Sequence, residues 1–443
     1  MSVFHAYDVR GLIGSEITPQ LAYKIGVAMA RFTKATQFVV GRDMRESSIL
    51  LADSLCRGLS IDGAHIIDIG LCSTPLFYFG VTTYKTAGVM VTASHNPAEY
   101  NGFKLMNTDL LPIGEDSGIR VIEQMVSQMS DDEVETEVKS ETVDILSSYI
   151  AKVNSLVSFG YIASMSVVVD AGNGMGGYVG NAFFDALPVR ADKLFFELDG
   201  NFPNHEANPI KFETLRDLSA RVIQCGASLG IAYDGDADRV GFVDEKGTPL
   251  SGDIVATLLA REILRLHPGS LVLGDVRCTK GYQDQVEQMG GKYGMSKVGH
   301  AHIKNQMARE GAVFAGELSA HYYFAEFLRN ESPEFAIALL LAMLTREQKT
   351  LSEIVLTVTH YAHSEEINFS VRDKQIILDK LLQKYEGADV SMLDGVKIMF
   401  PQWWCSVRAS NTENKLRLVV EADTPALLQE KIDEVSGVIT SFA

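Results

Sequence analysis

The stretch Val91-Thr92-Ala93-Ser94-His95-Asn96-Pro97, leading into Tyr100-Asn101-Gly102-Phe103-Lys104, decides how the rest of the chain is read. It follows an apolar run over 86–90, so it begins where a buried strand ends. A serine in the turn after such a strand, with a histidine beside it and a lysine ten residues on, is placed as a loop nucleophile on a rigid support. Ser-His-Asn-Pro also makes an ordinary turn, because Asn and Pro initiate turns and Ser bonds its own backbone. What else the chain carries decides between the two.

A second apolar strand, Leu229-Gly230-Ile231-Ala232-Tyr233, delivers Asp234-Gly235-Asp236-Ala237-Asp238-Arg239. Three carboxylates at alternate positions of one tight loop repel one another unless a hard cation sits among them, which points to a Mg²⁺-type site. An EF-hand loop shares the alternating acids, and Glu245 even stands at its twelfth position. It requires glycine at the sixth position, where this chain has Arg239, and helices on both flanks. A solvated acidic turn is the other alternative.

Composition bounds the setting. A chain of 443 residues has room for about three domains of about 150 residues each. Hydrophobic residues at 46% with charged residues at 22% are ordinary for a soluble globular protein. A net charge of −18 repels nucleic acid and anionic membrane, so neither is expected as a partner, and anionic small substrates need locally basic pockets. The N-terminus lacks a basic start and apolar core, and the most apolar helix-like run, 335–344, is too short to span a bilayer. Five scattered cysteines without a Cys-x-x-Cys pair read as free thiols in a reducing cytoplasm, with neither a zinc site nor a disulfide framework.

The layout alternates strand and helix. Thr18-Pro19 is a helix cap with proline at the first helical position, followed by Leu21, Ile25, Ala28, Met29 and Phe32 on one face. Strands are expected at 38–40 and 65–69, then at 165–170, 270–273, 297–299 and 312–315. Helices are expected after Gly281, from Ile303 and over 335–344. The C-terminal part reads as strands at 367–371, 404–407 and 416–421 with helices near 374–385 and 425–438, a small α+β unit. An acidic, polar stretch around 131–142 marks a boundary. Four blocks result: 1–145, 146–250, 251–362 and 363–443. Gly172, Gly174 and Gly177 satisfy G-x-G-x-x-G after a strand, with Glu197 at a distance suited to a ribose, so a dinucleotide-dependent oxidoreductase is an alternative class.

Thr92-Ala93-Ser94-His95-Asn96-Pro97 with Tyr100-Asn101-Gly102-Phe103-Lys104 resembles the phosphoserine loop of the α-D-phosphohexomutase family. Further strings are similar to that family's, in its order. They are the opening Phe4-His5-Ala6-Tyr7-Asp8-Val9-Arg10-Gly11, an arginine-bearing loop at Gly41-Arg42-Asp43-Met44-Arg45, the aspartate loop, Lys297-Val298-Gly299-His300, Gly316-Glu317-Leu318-Ser319-Ala320-His321, and Arg408-Ala409-Ser410-Asn411-Thr412-Glu413 with a later Arg417. His5 replaces a commonly basic residue, Ala320 a usual glycine and Asn414 a usual proline.

The resemblance implies three related α/β domains with mixed sheets plus a smaller C-terminal α+β domain around a central active-site cleft. It implies a phosphomannomutase/phosphoglucomutase type of isomerase, converting hexose 1-phosphate to hexose 6-phosphate through a hexose 1,6-bisphosphate. On this reading Ser94 is carried as phosphoserine, with His95 and Lys104 near the proton transfers and Arg239 near the transferred phosphate. Asp234, Asp236 and Asp238 join Ser94 as ligands of Mg²⁺, and glucose 1,6-bisphosphate is the activator. Tyr7, Arg10, Arg277, His300, Glu317 and Ser319 contact the substrate, while Arg408, Ser410, Asn411, Thr412 and Arg417 hold the nonreacting phosphate. A cytoplasmic monomer or homodimer is expected. Phosphoglucosamine mutase and a noncatalytic sugar-phosphate-binding relative are the alternatives within the family.

Overall fold

Strands covered on both faces set the layering. The computed structural model describes residues 2–130, 137–409 and 415–441, so Ser410, Asn411, Thr412 and part of the acidic boundary lie outside the described residues. The chain forms two compact units, Met1–Gly252 with Ser319–Ser352 and Asp253–Leu318 with Glu353–Ala443.

In the first unit, strands β1 (Val9–Leu12), β2 (Gln37–Arg42), β3 (His65–Leu71), β4 (Ala87–Val91), β5 (Tyr100–Met106) and β6 (Lys139–Thr142) form one mixed sheet in the order β1-β5-β4-β2-β3-β6. β4 runs parallel to β2 and antiparallel to β5, and β5 is antiparallel to β1. Every residue of β4 is buried, as its unbroken apolar run requires. The helix Pro19–Thr33 opens with Thr18 accepting from Leu21 N and ends in a left-handed Lys34. Its inner face, with Ile25, Ala28 and Met29, joins Val89, Val91 and Phe103 in one core. Of these, each buried Ile, Met, Val or Phe side chain contributes about 1.5–3 kcal/mol.

A second mixed sheet holds β7 (Ser166–Asp170), β8 (Arg190–Leu194), β9 (Leu229–Tyr233), β10 (Val240–Asp244) and β11 (Pro249–Leu250) in the order β11-β10-β9-β7-β8. β9 and β10 are antiparallel and wholly buried, so the six-residue loop 234–239 joins the ends of two fixed strands. This excludes the EF-hand alternative, which needs helices there. An antiparallel pair, Tyr322–Phe324 and Asn330–Glu331, and the buried helix Pro333–Glu347 complete the unit.

The second unit contains β12 (Leu271–Asp275), β13 (Lys292–Ser296) and β14 (Phe314–Gly316), with β12 parallel to both of the others. The strand expected at 297–299 is instead β13, and 297–299 is a loop. The helix expected from Ile303 starts earlier, as His300–Glu310. The C-terminal part is an antiparallel sheet in which Trp403–Ala409 lies between Val396–Phe400 and Lys415–Ala422. Helices Lys374–Lys384 and Pro425–Ser441 close its core through Ile377, Leu381, Val435 and Ile439.

The Gly172 loop is not a nucleotide cradle. A Cβ on Gly174 would lie 2.7 Å from the Gly235 carbonyl oxygen, and one on Gly177 2.2 Å from that of Phe196. These glycines are required because the loop packs against neighbouring backbone, including the aspartate loop, and that removes the pattern on which an oxidoreductase rested.

Candidate active site

Ser94 stands just past the end of β4 with φ +52°, a left-handed conformation that costs a residue with a side chain free energy. Local bonds hold it there: the Thr92 hydroxyl accepts from Ser94 N at 2.9 Å, and Asn96 N donates to the Ala93 carbonyl at 3.0 Å. The Ser94 hydroxyl is directed at the aspartate loop, donating to Asp234 Oδ2 at 3.1 Å, and lies 3.1 Å from His95 Nδ1. Ser94 is only 3% exposed.

β5 brings Lys104 opposite Met90 of β4. Its Nζ lies 2.7 Å from Asp236 Oδ2 and also pairs with Asp238 Oδ2. Burial alone would lower the Lys104 pKa, but the Asp236 and Asp238 carboxylates outweigh it and hold the ammonium well above its ordinary range. Burial pushes His95 well below the usual imidazole range, and the nearby cations Arg239 and Arg10 add to the effect.

The aspartate loop is tied from within and from outside. Asp234 Oδ1 accepts from the backbone N–H groups of Asp238 and Arg239, while Thr74 donates its hydroxyl to Asp236 Oδ2 at 2.6 Å. Burial first, and then the neighbouring Asp238 and Asp236 carboxylates, drive Asp234 well above the usual carboxylate range, against the opposing charges of Arg239 and Lys104. Arg239 Nε donates to His321 Nε2 at 3.3 Å, the same imidazole nitrogen lies 3.4 Å from Asp238 Oδ1, and its other nitrogen faces Ser319 Oγ at 3.1 Å.

The three aspartates each offer one oxygen within 4.8 Å of the others, and all are buried. Asp236 Oδ1 is buried without a hydrogen-bond partner. A buried carboxylate oxygen left unsatisfied beside two others is costly, and an all-oxygen donor set of this kind fits a hard divalent cation such as Mg²⁺.

Arg10, on β1, reaches the serine loop by donating to Asn96 Oδ1 at 2.9 Å, and Tyr7 is half-buried in the turn before β1. The first unit thus gathers Ser94, His95, Lys104, Asp234, Asp236, Asp238 and Arg239 into one centre, with Arg10 and Ser319 joined through Asn96 and His321.

The second unit holds the remaining expected site residues that are among the described ones. Arg277 is 6% exposed and donates from Nε and Nη2 to both oxygens of Asp275, at 3.0 and 2.8 Å. Glu317, 1% exposed, accepts from Gly299 N at 3.0 Å, and His300 is the first residue of its helix. Arg408 and Arg417 stand directly opposite one another on adjacent strands. Arg408 Nε donates to Asp394 Oδ2 at 3.1 Å, and Arg277, Arg408 and Arg417 all converge on Glu366, at 3.3, 3.7 and 3.1 Å.

Sequence reasoning missed Thr74, which reads only as the start of a helix, and Glu366. It also left His321 unassigned, although that residue sits two positions past Ser319 in a string the resemblance had already singled out.

Family models for phosphoglucomutase/phosphomannomutase match in chain order: alpha/beta/alpha domain I over residues 1–133, domain II over 147–247, domain III over 251–361 and the C-terminal domain over 366–438. The chain belongs to this family. It is an enzyme of the isomerase type with three α/β domains and a smaller C-terminal one. A phosphomannomutase of Methanocaldococcus jannaschii is 35% identical, over 100% of this chain and 98% of its own. A protein of Xanthomonas campestris described as phosphohexose mutases is 37% identical over 99% of each chain. The crystal structure of a phosphoglucomutase/phosphomannomutase family protein from Burkholderia thailandensis superposes with a TM-score of 0.89 at 31% identity, covering 99% of this chain and 97% of that one.

Proposed function

We propose that this member of the family interconverts hexose 1-phosphate and hexose 6-phosphate of mannose, glucose or both, by way of a phosphorylated Ser94. The observation that carries the reading is the Ser94 hydroxyl held 3.1 Å from Asp234 in a buried centre with two further aspartates and Lys104. A merely structural serine needs no such neighbours.

In the forward half-reaction the phosphoryl group leaves Ser94 Oγ for a hydroxyl of the bound sugar phosphate, giving a hexose 1,6-bisphosphate. After the intermediate turns, its other phosphate returns to Ser94. Asp234, Asp236 and Asp238, with an oxygen of the phosphorylated Ser94, would hold Mg²⁺. The cation supplies charge stabilisation for the transferring phosphoryl group. Arg239, fixed by His321, adds positive charge beside the same loop. Lys104 and His95 are the candidates for handling the proton of the attacking hydroxyl. Lys104 stands as a cation shared by Asp236 and Asp238, so it must first give up a proton of its own before its amine can accept that of the hydroxyl.

Glu317 and Ser319 are assigned to the sugar hydroxyls, and Arg277 and His300 to substrate contact. Mannose and glucose both present equatorial 3- and 4-hydroxyls, so such a set serves either. Tyr7 and Arg10 are assigned to substrate contact. Arg408 and Arg417, with Ser410, Asn411 and Thr412, are assigned to the nonreacting phosphate, where arginine offers bidentate donors. The domain limits 1–145, 146–250, 251–362 and 363–443 are part of this proposal. So are a cytoplasmic setting, in keeping with five free cysteines, and activation by glucose 1,6-bisphosphate.

The test is Mg²⁺-dependent turnover of mannose 1-phosphate and glucose 1-phosphate, primed with glucose 1,6-bisphosphate, in wild type and Ser94→Ala. Turnover lost in the variant supports the reading and ranks the sugars. Turnover of neither sugar, with conversion of glucosamine phosphates instead, makes the enzyme a phosphoglucosamine mutase.

A further inference from the structure

The loop after β2 carries a buried arginine to which the proposed reaction gives no step. Arg45 is 2% exposed. A guanidinium has five N–H donors in a fixed fork, and here each has an acceptor. Nε donates to Asp43 Oδ2 at 3.2 Å, Nη1 to the carbonyls of Pro97 and Tyr100 at 2.8 and 3.1 Å, and Nη2 to the carbonyls of Ser94 and Asn96 at 3.0 and 2.6 Å. The Phe202 ring lies 5.1 Å from the guanidinium carbon. Asp43 is fixed in turn by the Ser48 hydroxyl at 2.6 Å.

With every donor engaged, Arg45 has none left for a phosphate or a sugar. Its four carbonyl acceptors all lie within the turn from Ser94 to Tyr100, and Ser94 itself sits at φ +52°. A left-handed serine persists only where its surroundings over-determine it, and Arg45 adds to the local bonds at Thr92 and Ala93 a restraint from another element of the fold. We propose that Arg45 is a positioning residue for phosphoryl transfer, fixing through the backbone of 94–100 the direction in which Ser94 Oγ points. The inference rests on the mutase reading above. Lysine cannot substitute, because three rotating donors do not reproduce a planar fork serving four carbonyls.

The experiment compares wild type with Arg45→Lys, measuring kcat and KM per folded molecule and the ³¹P resonance of phosphorylated Ser94. Displacing a reacting group by about an ångström costs about a hundredfold in rate. The expected result is a kcat lower by about ten- to a hundredfold, KM for the hexose phosphate changed less than about twofold, and a shifted or broadened phosphoserine resonance. A purely structural arginine lowers the folded fraction and leaves kcat per folded molecule and the resonance alone, which overturns the proposal. If Arg45→Lys does not fold, Phe202→Leu keeps all five hydrogen bonds and removes the ring from the guanidinium plane. It is expected to lower kcat severalfold, and an unchanged kcat overturns the proposal. A wild type without mutase turnover removes the mutase reading and this role together. Wild-type turnover with an unchanged variant removes this role alone.

Discussion

Gly235→Ala tests how tightly the serine and aspartate loops are fitted to one another. A Cβ at Gly235 falls 2.3 Å from the Ser94 carbonyl oxygen and 3.0 Å from its carbon, about an ångström inside ordinary contact. Neither wall retreats easily. The Ser94 carbonyl is held by Arg45 Nη2 at 3.0 Å, and the Gly235 carbonyl accepts from Met175 N at 2.9 Å. Overpacking of this kind costs about 1–3 kcal/mol of stability. Because the displaced atom belongs to Ser94, the residue proposed to carry the phosphoryl group, the greater effect falls on rate, about a hundredfold in kcat. The assay is saturating mutase turnover alongside calorimetric Tm. Gly160→Ala serves as the control, since a Cβ there meets nothing nearer than Ser158 Oγ at 3.8 Å. A Gly235→Ala enzyme with kcat within about twofold of wild type would falsify the reasoning, for it would mean that Ser94 tolerates an ångström of displacement.

Asp236→Asn removes the buried carboxylate with the unpartnered oxygen, and the Mg²⁺ concentration for half-maximal activity should rise at least about tenfold; an unchanged metal titration would take Asp236 out of the ligand set. Arg408→Lys loses the planar fork proposed for the nonreacting phosphate and should raise KM by about tenfold; an unchanged KM would place phosphate recognition elsewhere. Glu334 predicts a pH effect on stability. Burial pushes its carboxyl from 4.5 to about 7, against the hydrogen bond donated by the Tyr149 hydroxyl. Below pH 4.5 both states are protonated; as pH rises toward 7 the unfolded state ionises first, so stability falls by about 3 kcal/mol across that window and stays lower above it. Glu334→Gln should flatten this dependence, and a wild-type Tm profile no steeper than the variant's would contradict it.

How much of this was legible in the sequence follows from what each residue depends on. β4 and β9 were readable because strands buried on both faces leave no polar position to confuse the pattern. The aspartate loop was readable because mutual repulsion of its carboxylates demands an explanation wherever the loop lies. β13 was misplaced to 297–299 because Lys292–Ser296 is a half-exposed strand with no alternation, and Val298 supplied a stronger local apolar signal. The Gly172 pattern was ambiguous because glycine serves close backbone approach of any kind, whether to a pyrophosphate or to Gly235. Thr74 was invisible because its partner Asp236 lies 162 residues away in the chain. The direction of the Arg45 fork was hidden for the same reason, since an arginine after a strand has no local signature of the carbonyls it will meet.

The facing of Arg408 and Arg417 across two strands has a consequence for the last sheet itself. Like charges directly opposite one another destabilise a strand pair, and here Glu366 and Asp394 balance them. A bound dianion would relieve the same repulsion more fully, so occupancy and cohesion of this sheet are thermodynamically linked. Inorganic phosphate or sulfate alone should therefore slow hydrogen exchange along Trp403–Ala409 and Lys415–Ala422, the anion serving as a brace for the two strands proposed to bind it.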